Sequence, residues 1–397
     1  MPDLFKLNTI YAEDGKYKYR KKPKELLHKT FRQLLFAFRL NGIYYEEKEK
    51  RVRVKRKRLR HFAWKSIEYA FNIIAVLHLM TKLISVLFFT TEKEEITLII
   101  HLIVLDLIRI FLLKKIEVIF EMIKKVLRIS EHYVDLKTIK RIRCFNMSFF
   151  VLIALCMITF ALEYYDNELY TNWSEFLKKR DLQELSEILN IILKALVMSF
   201  NYNSHIILIL SAVLFADVCC VLERIFKMVY YVLKTSETEY ENCNAIHSYL
   251  TILEVTEYVE KSYCSIVFII ALCVMIGLFR GFVILSFSKN LTFSLSTFLC
   301  IYIIGHLGML FAIVLPASDL NQVAFEARSQ VISLREHSPF SQNRDLKWRQ
   351  MNVKRKVNLT LWNTYVIDRS LIWSAFGTLL TYGILIGTLG IVSDKIN

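Results

Sequence analysis

The sequence predicts an all-α, polytopic membrane protein with seven transmembrane helices, a cytoplasmic N-terminus, an extracellular C-terminus and a helical cytoplasmic base. Three observations carry this expectation. The chain is 54% apolar and 13% aromatic, with a mean hydropathy of +0.36, well above a soluble norm. It holds only 10 Gly and 4 Pro in 397 residues, which excludes a loop-rich sandwich, a collagen and a disordered chain. Finally, the apolar residues gather into seven stretches long enough to cross a hydrocarbon core of about 30 Å.

In chain order the first element is not a span. Leu26 to Tyr45 is broken by Lys29, Arg32 and Arg39, while Leu27, Phe31, Leu34, Leu35 and Phe38 fall on one helical face. A segment of that kind lies in the interface or folds back under a bundle, and with no small-residue cleavage site it does not read as a signal peptide. The spans follow at 63–90, 95–114, 144–165, 188–215, 263–288, 293–316 and 371–392. The second carries Asp106 and Arg109, and the fourth is interrupted by Asn201, Asn203 and His205. The three long connections at 115–143, 216–262 and 317–370 keep helical periodicity, as in Ile116, Ile119, Ile123 and Leu127. They are expected to extend the spans into the base. The organisation is therefore 1–62, a basic N-terminal region; 63–316, helices one to six; 317–370, a cytoplasmic anchor; and 371–397, the last helix and a short tail.

Cation placement gives the orientation. Residues 1–62 hold 19 of the 52 Lys and Arg, including the run Lys48 to Arg60 against the first span. The predicted inside segments, counting Lys114 at the end of the second span, hold 41 and the outside ones 6. Cytoplasmic loops carry such an excess, and an anionic inner leaflet accounts for the basic run without any nucleic acid. Two glycosylation sequons, at Asn172 and Asn290, fall on predicted outside loops, whereas Asn146-Met-Ser148 and Asn358-Leu-Thr360 fall inside or at its edge. None of the eight cysteines forms a Cys-x-x-Cys pair, so buried free thiols are expected rather than disulfides or a zinc site. No phosphate loop, Gly-x-Ser-x-Gly or His-Glu-x-x-His occurs. No enzyme activity, cofactor or metal is expected, and His306 reads as a hydrogen-bonded core histidine.

Polar groups at membrane depth are costly and so become candidates for function. His101 and Arg280, with the aromatics Tyr164, Phe200 and Tyr302, fall in or near the outer halves of their spans and are the candidate ligand-binding residues. Their bland alternative is a cation snorkelling to the headgroups or pairing with a carboxylate. His101, Asp106 and Arg109 are also placed to form a polar network within helix two. In the last span, Thr381, Leu385, Thr388 and Val392 share a face with Leu389 beside it, opposite Gly383, Gly387 and Gly390. Hydroxyls alternating with aliphatic side chains suit a pore that wets yet closes at a constriction. A packed helix whose threonines bond their own backbone has the same pattern.

These residues bear a resemblance. Seven helices, an inside N-terminus and Thr-Tyr in the last helix look like the insect gustatory receptors, whose signature is Thr-Tyr, five apolar residues, then Gln-Phe. Here Thr381-Tyr382 is followed by Gly383-Ile-Leu-Ile-Gly387 and then Thr388-Leu389, so the first half matches and the second departs. Asp368-Arg369-Ser370 and the amphipathic segment before span one are also similar. The resemblance implies a chemosensory cation channel opened by a small-molecule tastant, in the plasma membrane of sensory neurons. It further implies a homotetramer, or a heteromer with related receptors, around the last helix, a ligand pocket in the outer half of helices one to six, and permeant cations and lipids as the other partners. Base contacts from 224–262 and 346–370 would make Trp348, Trp362 and Tyr365 subunit anchors, or else packing within one subunit. Thr388-Leu389 in place of Gln-Phe leaves open an altered conductance or a non-conducting accessory subunit. Gly383, where the sugar-receptor branch carries Glu, speaks against that branch. A seven-helix G-protein-coupled receptor needs its N-terminus outside, against the cation split, and a transporter would favour internal repeats, of which none is seen.

Overall fold

The computed structural model describes residues 21–43, 62–77, 80, 93–130, 133–165, 183–236, 238–287, 293–337 and 358–382. Eight helices lie among them. These are α1 (Lys21–Leu40), α2 (62–77), α3 (Lys93–Ser130), α4 (Leu136–Tyr165), α5 (Gln183–Thr235), α6 (Glu239–Phe287), α7 (Phe293–His337) and α8 (370–382). A hairpin of β1 (Thr360–Leu361) and β2 (Tyr365–Val366) precedes α8. The fold is all-α and multi-pass, with α2 to α8 in the places of the seven predicted spans. Three of the described helical segments, Asn203–Thr235, Glu241–Leu285 and Leu295–Leu334, are individually long and apolar enough to cross a membrane.

Amphipathicity places α1. Leu27, Phe31, Leu34 and Phe38 are buried while Phe36 and Leu40 stay exposed, because residues three and four apart share a face. That face packs on α4 and α5, as expected of a segment folded under the bundle. The helix stops at Gly42, whose φ of +76° suits a residue without Cβ. Gly42 N–H donates to the Arg39 carbonyl at 3.1 Å and Ile43 N–H to the Phe38 carbonyl at 3.0 Å. This is a Schellman end, sealed by the buried Ile43.

The long connections are continuations of helices, so a single rod crosses membrane and base. α5 is the axis of the bundle, in contact with α3, α4, α6 and α7. From Ile207 to Leu222 it is buried on nearly every side, as its all-round apolar sequence requires. Packed against it, α6 and α7 complete the core, and α7 continues through Pro316. The end of the base is set by Asp135, which caps α4 by accepting from Thr138 N–H at 2.9 Å and from Arg224 at 2.9 Å. Burial raises the Asp135 carboxyl, but the bonds from Thr138 and the Arg224 charge lower it more, holding it below its usual range. Cys144, Cys219, Cys220, Cys243, Cys264, Cys273 and Cys300 are free thiols.

One sequon is decided by burial. Asn146 is 6% exposed, and its Nδ2 donates to Oδ2 of the buried Asp217 at 2.9 Å, so the folded chain offers no amide for glycosylation there. Substituting Asn146→Ala strands the carboxyl and is expected to destabilise by about 1–3 kcal/mol. The melting midpoint of the purified protein reads this, and an unchanged midpoint would show that the pair contributes nothing.

The anchor region differs from its expectation. Helical periodicity was the prediction for the whole of 317–370, yet 358–366 is a β-hairpin with Thr360 opposite Val366 and Leu361 opposite Tyr365. Its turn bends through Trp362 and Asn363 at φ of 53° and 57°, with Thr364 N–H donating to the Leu361 carbonyl at 3.1 Å. Two successive left-handed residues are what a tight hairpin needs. Tryptophan is a costly choice there, held by packing on Phe268 at 5.1 Å between ring centroids. The hairpin is pinned to two rods. Asn321 of α7 donates to the carbonyls of Leu359 at 3.1 Å and Ile367 at 2.9 Å and accepts from Leu359 N–H at 2.7 Å. Thr360 N–H donates to Glu260 of α6 at 3.0 Å, and Arg369 pairs with Asp319 at 2.7 Å.

Candidate ligand site

Four helices converge on one polar cluster inside the bundle. His101 comes from α3, His205 from α5, Tyr302 and His306 from α7, and Cys273 from α6. His101 and His306 lie about 12 Å and 20 Å along their helices from the ends at Lys93 and Phe293, taking about 1.5 Å per residue. Both positions fall within a core of about 30 Å. His101, Tyr302 and His306 are almost wholly buried and His205 is partly so.

The ring geometry is close. The His101 centroid lies 5.7 Å from His205 and 5.8 Å from His306, and His205 and His306 are 6.2 Å apart. Tyr302 packs on His306 at 4.1 Å, and its hydroxyl lies 3.5 Å from His101 Nε2. The Cys273 thiol faces His101 Nδ1 at 3.9 Å. Nδ1 of His306 lies 2.9 Å from the Tyr302 carbonyl. A carbonyl can only accept, so Nδ1 carries the proton and donates, and Nε2 presents its lone pair.

Room for this ring is made by one glycine. A Cβ on Gly277 of α6 would lie 2.3 Å from both Cδ2 and Nε2 of His306. One turn on, a Cβ on Gly281 would lie 2.7 Å from Ile303 Cγ1. The pair forms a Gly-x-x-x-Gly face that lets α7 approach closely. Arg280, between them, is half-buried and near enough to act electrostatically on His101 and His306.

Of the predicted ligand residues, the structure thus brings together His101 and Tyr302, with Arg280 beside them. Tyr164 and Phe200 lie on α4 and α5, with side chains outside the described residues. His306 is hydrogen-bonded and buried as expected, but it belongs to a cluster. Of the proposed helix-two network of His101, Asp106 and Arg109, the His101 member is corrected, because its ring packs on His205 of α5 and His306 of α7, while Asp106 and Arg109 lie within electrostatic reach of each other. Arg109 donates from Nε to Asn72 Oδ1 at 3.1 Å and stands over Phe71 at 5.5 Å. With the Asn203 carboxamide turned to satisfy its neighbours, Arg109 Nη1 donates to its oxygen at 3.2 Å. Arg109 is thus a staple between α2, α3 and α5.

Sequence reasoning missed His205 as a partner of His101, and Gly277 as the residue packed against His306. The three histidines sit about a hundred residues apart, so no spacing betrays them. The glycine pair was legible as Gly277-x-x-x-Gly281.

Of the residues predicted to line a pore, Thr381 is exposed and its hydroxyl donates to the Gly377 carbonyl at 2.8 Å, while Leu385, Thr388, Leu389 and Val392 lie outside the described residues. Trp362 and Tyr365 are 50% and 44% exposed, and Trp348, Asn172 and Asn290 lie outside the described residues. A cavity of about 350 Å³ opens between α1 and α4, lined by Thr30, Arg143 and Asn146 among others. It is separate from the histidine cluster.

The fold and the site define a class: a multi-pass helical membrane protein with a polar, aromatic cluster buried between its helices. Solved structures share this fold. The insect olfactory receptor OR5 from Machilis hrabei in complex with eugenol is similar over 92% of this chain and 99% of that one, with a TM-score of 0.69 at 14% identity. A second structure of the same receptor is similar over 91% of this chain and 98% of that one, with a TM-score of 0.60 at 13% identity. No protein-family model matches the sequence, and no curated protein matches it significantly.

Proposed function

We propose that this chain is a chemosensory receptor of the gustatory type: a cation channel of the plasma membrane, opened by a small organic molecule. The observation that carries the reading is the likeness to OR5 along nearly the whole of both chains. OR5 is described with eugenol bound, which supports a small organic ligand here too. The ligand residues proposed are His101, Tyr164, Phe200, Arg280 and Tyr302. Aromatic side chains with a few convergent polar groups are the composition small-molecule sites favour.

Opening is a population shift. A ligand that binds the open state more tightly than the closed one moves the equilibrium, and one that does not cannot gate. Thr381, Leu385, Thr388, Leu389 and Val392 would line and close the pore of a tetramer. Trp362 and Tyr365 are exposed large aromatics, and with Trp348 they would serve as subunit anchors. Asn172 and Asn290 would carry glycans. The departure at Thr388-Leu389 favours one second reading, an accessory subunit that conducts only beside a related receptor.

Whole-cell recording with a panel of tastants tests both. Alone in a heterologous cell, the chain is expected to give ligand-evoked cation current. Thr388→Leu should reduce that current at least about tenfold at equal surface density, and Tyr302→Ala should raise the half-maximal ligand concentration. Current appearing only on co-expression with a related receptor would select the accessory reading. Unchanged current in Thr388→Leu would remove Thr388 from the pore.

A further inference from the structure

Three imidazoles on three helices, with one donor atom from each within 4.8 Å of the other two, are more than a hydrophobic core needs. We propose that His101, His205 and His306 bind a divalent transition-metal ion, Zn²⁺ foremost, at the floor of the candidate ligand site. The proposal does not depend on the channel reading.

The distances suit the ion. With Zn–N bonds of about 2.0–2.1 Å, a tetrahedral site places its nitrogens about 3.3 Å apart. Drawing three donors in from 4.8 Å asks each to move by about 1 Å or less, which a small side-chain rotation supplies. One ligand is already prepared. His306 donates Nδ1–H to the Tyr302 carbonyl at 2.9 Å, so its buried Nε2 offers a lone pair that has no hydrogen-bond partner among the described residues. A metal-binding histidine is ordinarily oriented in this way, by donating its other N–H to a backbone carbonyl. Gly277 keeps the space that this ring occupies.

The donor chemistry selects the metal class. Imidazole suits Zn²⁺, Cu²⁺ and Ni²⁺, whereas Mg²⁺ and Ca²⁺ require oxygen. Three histidine ligands leave a fourth position open, and the Arg280 charge nearby disfavours an uncompensated dication. An anionic fourth donor is therefore expected. The Cys273 thiol lies 3.9 Å from His101 and would serve as a thiolate, while an acidic ligand entering the pocket would serve from outside. In the second case the metal becomes the point of attachment for acidic ligands.

Cobalt is the probe, because Co²⁺ takes tetrahedral zinc sites and absorbs visibly there. The full-length chain, purified in detergent and stripped with chelator, is titrated with Co²⁺ and then with Zn²⁺. Expected are one tetrahedral Co²⁺ per chain, displacement by Zn²⁺, and none by Mg²⁺. His101→Gln, His205→Gln and His306→Gln, each checked for a monodisperse elution profile, should each weaken Co²⁺ binding at least about tenfold. Absence of the tetrahedral spectrum in the wild type overturns the proposal, as does equal affinity in every variant that elutes as folded protein. Should His306→Gln misfold, the other two still decide. A chain that binds Co²⁺ but gives no evoked current, alone or with a related receptor, keeps the metal site and loses the channel. One that conducts without binding metal does the reverse.

Discussion

Substituting Gly277→Ala is expected to lower the melting midpoint of the purified protein, although alanine is the better helix former. The added Cβ would sit 2.3 Å from two ring atoms of His306, and the imidazole cannot retreat freely because Nδ1–H is bound to the Tyr302 carbonyl. Alanine gains about 1 kcal/mol of helix propensity over glycine, while overpacking in a close-packed interior costs about 1–3 kcal/mol. The net is a loss of up to about 2 kcal/mol. A second substitution distinguishes this from general damage. In the double variant Gly277→Ala, His306→Ala the ring is gone, so the alanine should no longer destabilise relative to His306→Ala alone. A double-mutant cycle in thermal unfolding measures that coupling. Additive effects would mean that the two residues do not meet as described.

The second large effect is expected at Asn321. Its carboxamide makes three hydrogen bonds to the backbone at Leu359 and Ile367, both buried. With Asn321→Ala, the Leu359 carbonyl keeps its bond from Ile367 N–H at 3.0 Å, but Leu359 N–H and the Ile367 carbonyl lose theirs. Each stranded buried group costs about 1–3 kcal/mol. The damage should be local, since Glu260 still holds Thr360 and Arg369 still holds Asp319. Hydrogen exchange at 358–367 should therefore quicken by at least about tenfold while exchange in the centre of α5 stays slow. On the channel reading, evoked current should fall without loss of surface protein, because α8 follows the hairpin directly. Equal acceleration everywhere would show that Asn321 supports the whole base rather than this anchor.

Much of the architecture was legible because membrane insertion writes itself into composition. A stretch that must bury its backbone in lipid can only be an apolar helix, so the spans and the amphipathic α1 followed from periodicity. The continuation of α5, α6 and α7 into the base followed from the same period. The hairpin at 358–366 did not, because its two-residue strands carry no period. Its turn is made by Trp362 and Asn363 in place of the glycine that usually marks one, and tertiary bonds to Asn321 and Glu260 hold it.

By itself the sequence determined the all-α, multi-pass class of the protein and the order of its long apolar helices. Those properties follow from local hydropathy and charge, which each segment carries alone. Only the tertiary structure decided which polar groups meet. His101 was readable as a buried histidine, but its partners come from α5 and α7, brought within reach by the glycine face of α6. Arg109, placed by sequence with His101, was instead claimed by Asn72 and Phe71. A helix rotation or a close approach is settled by packing across the bundle, and no segment of the chain contains that information locally.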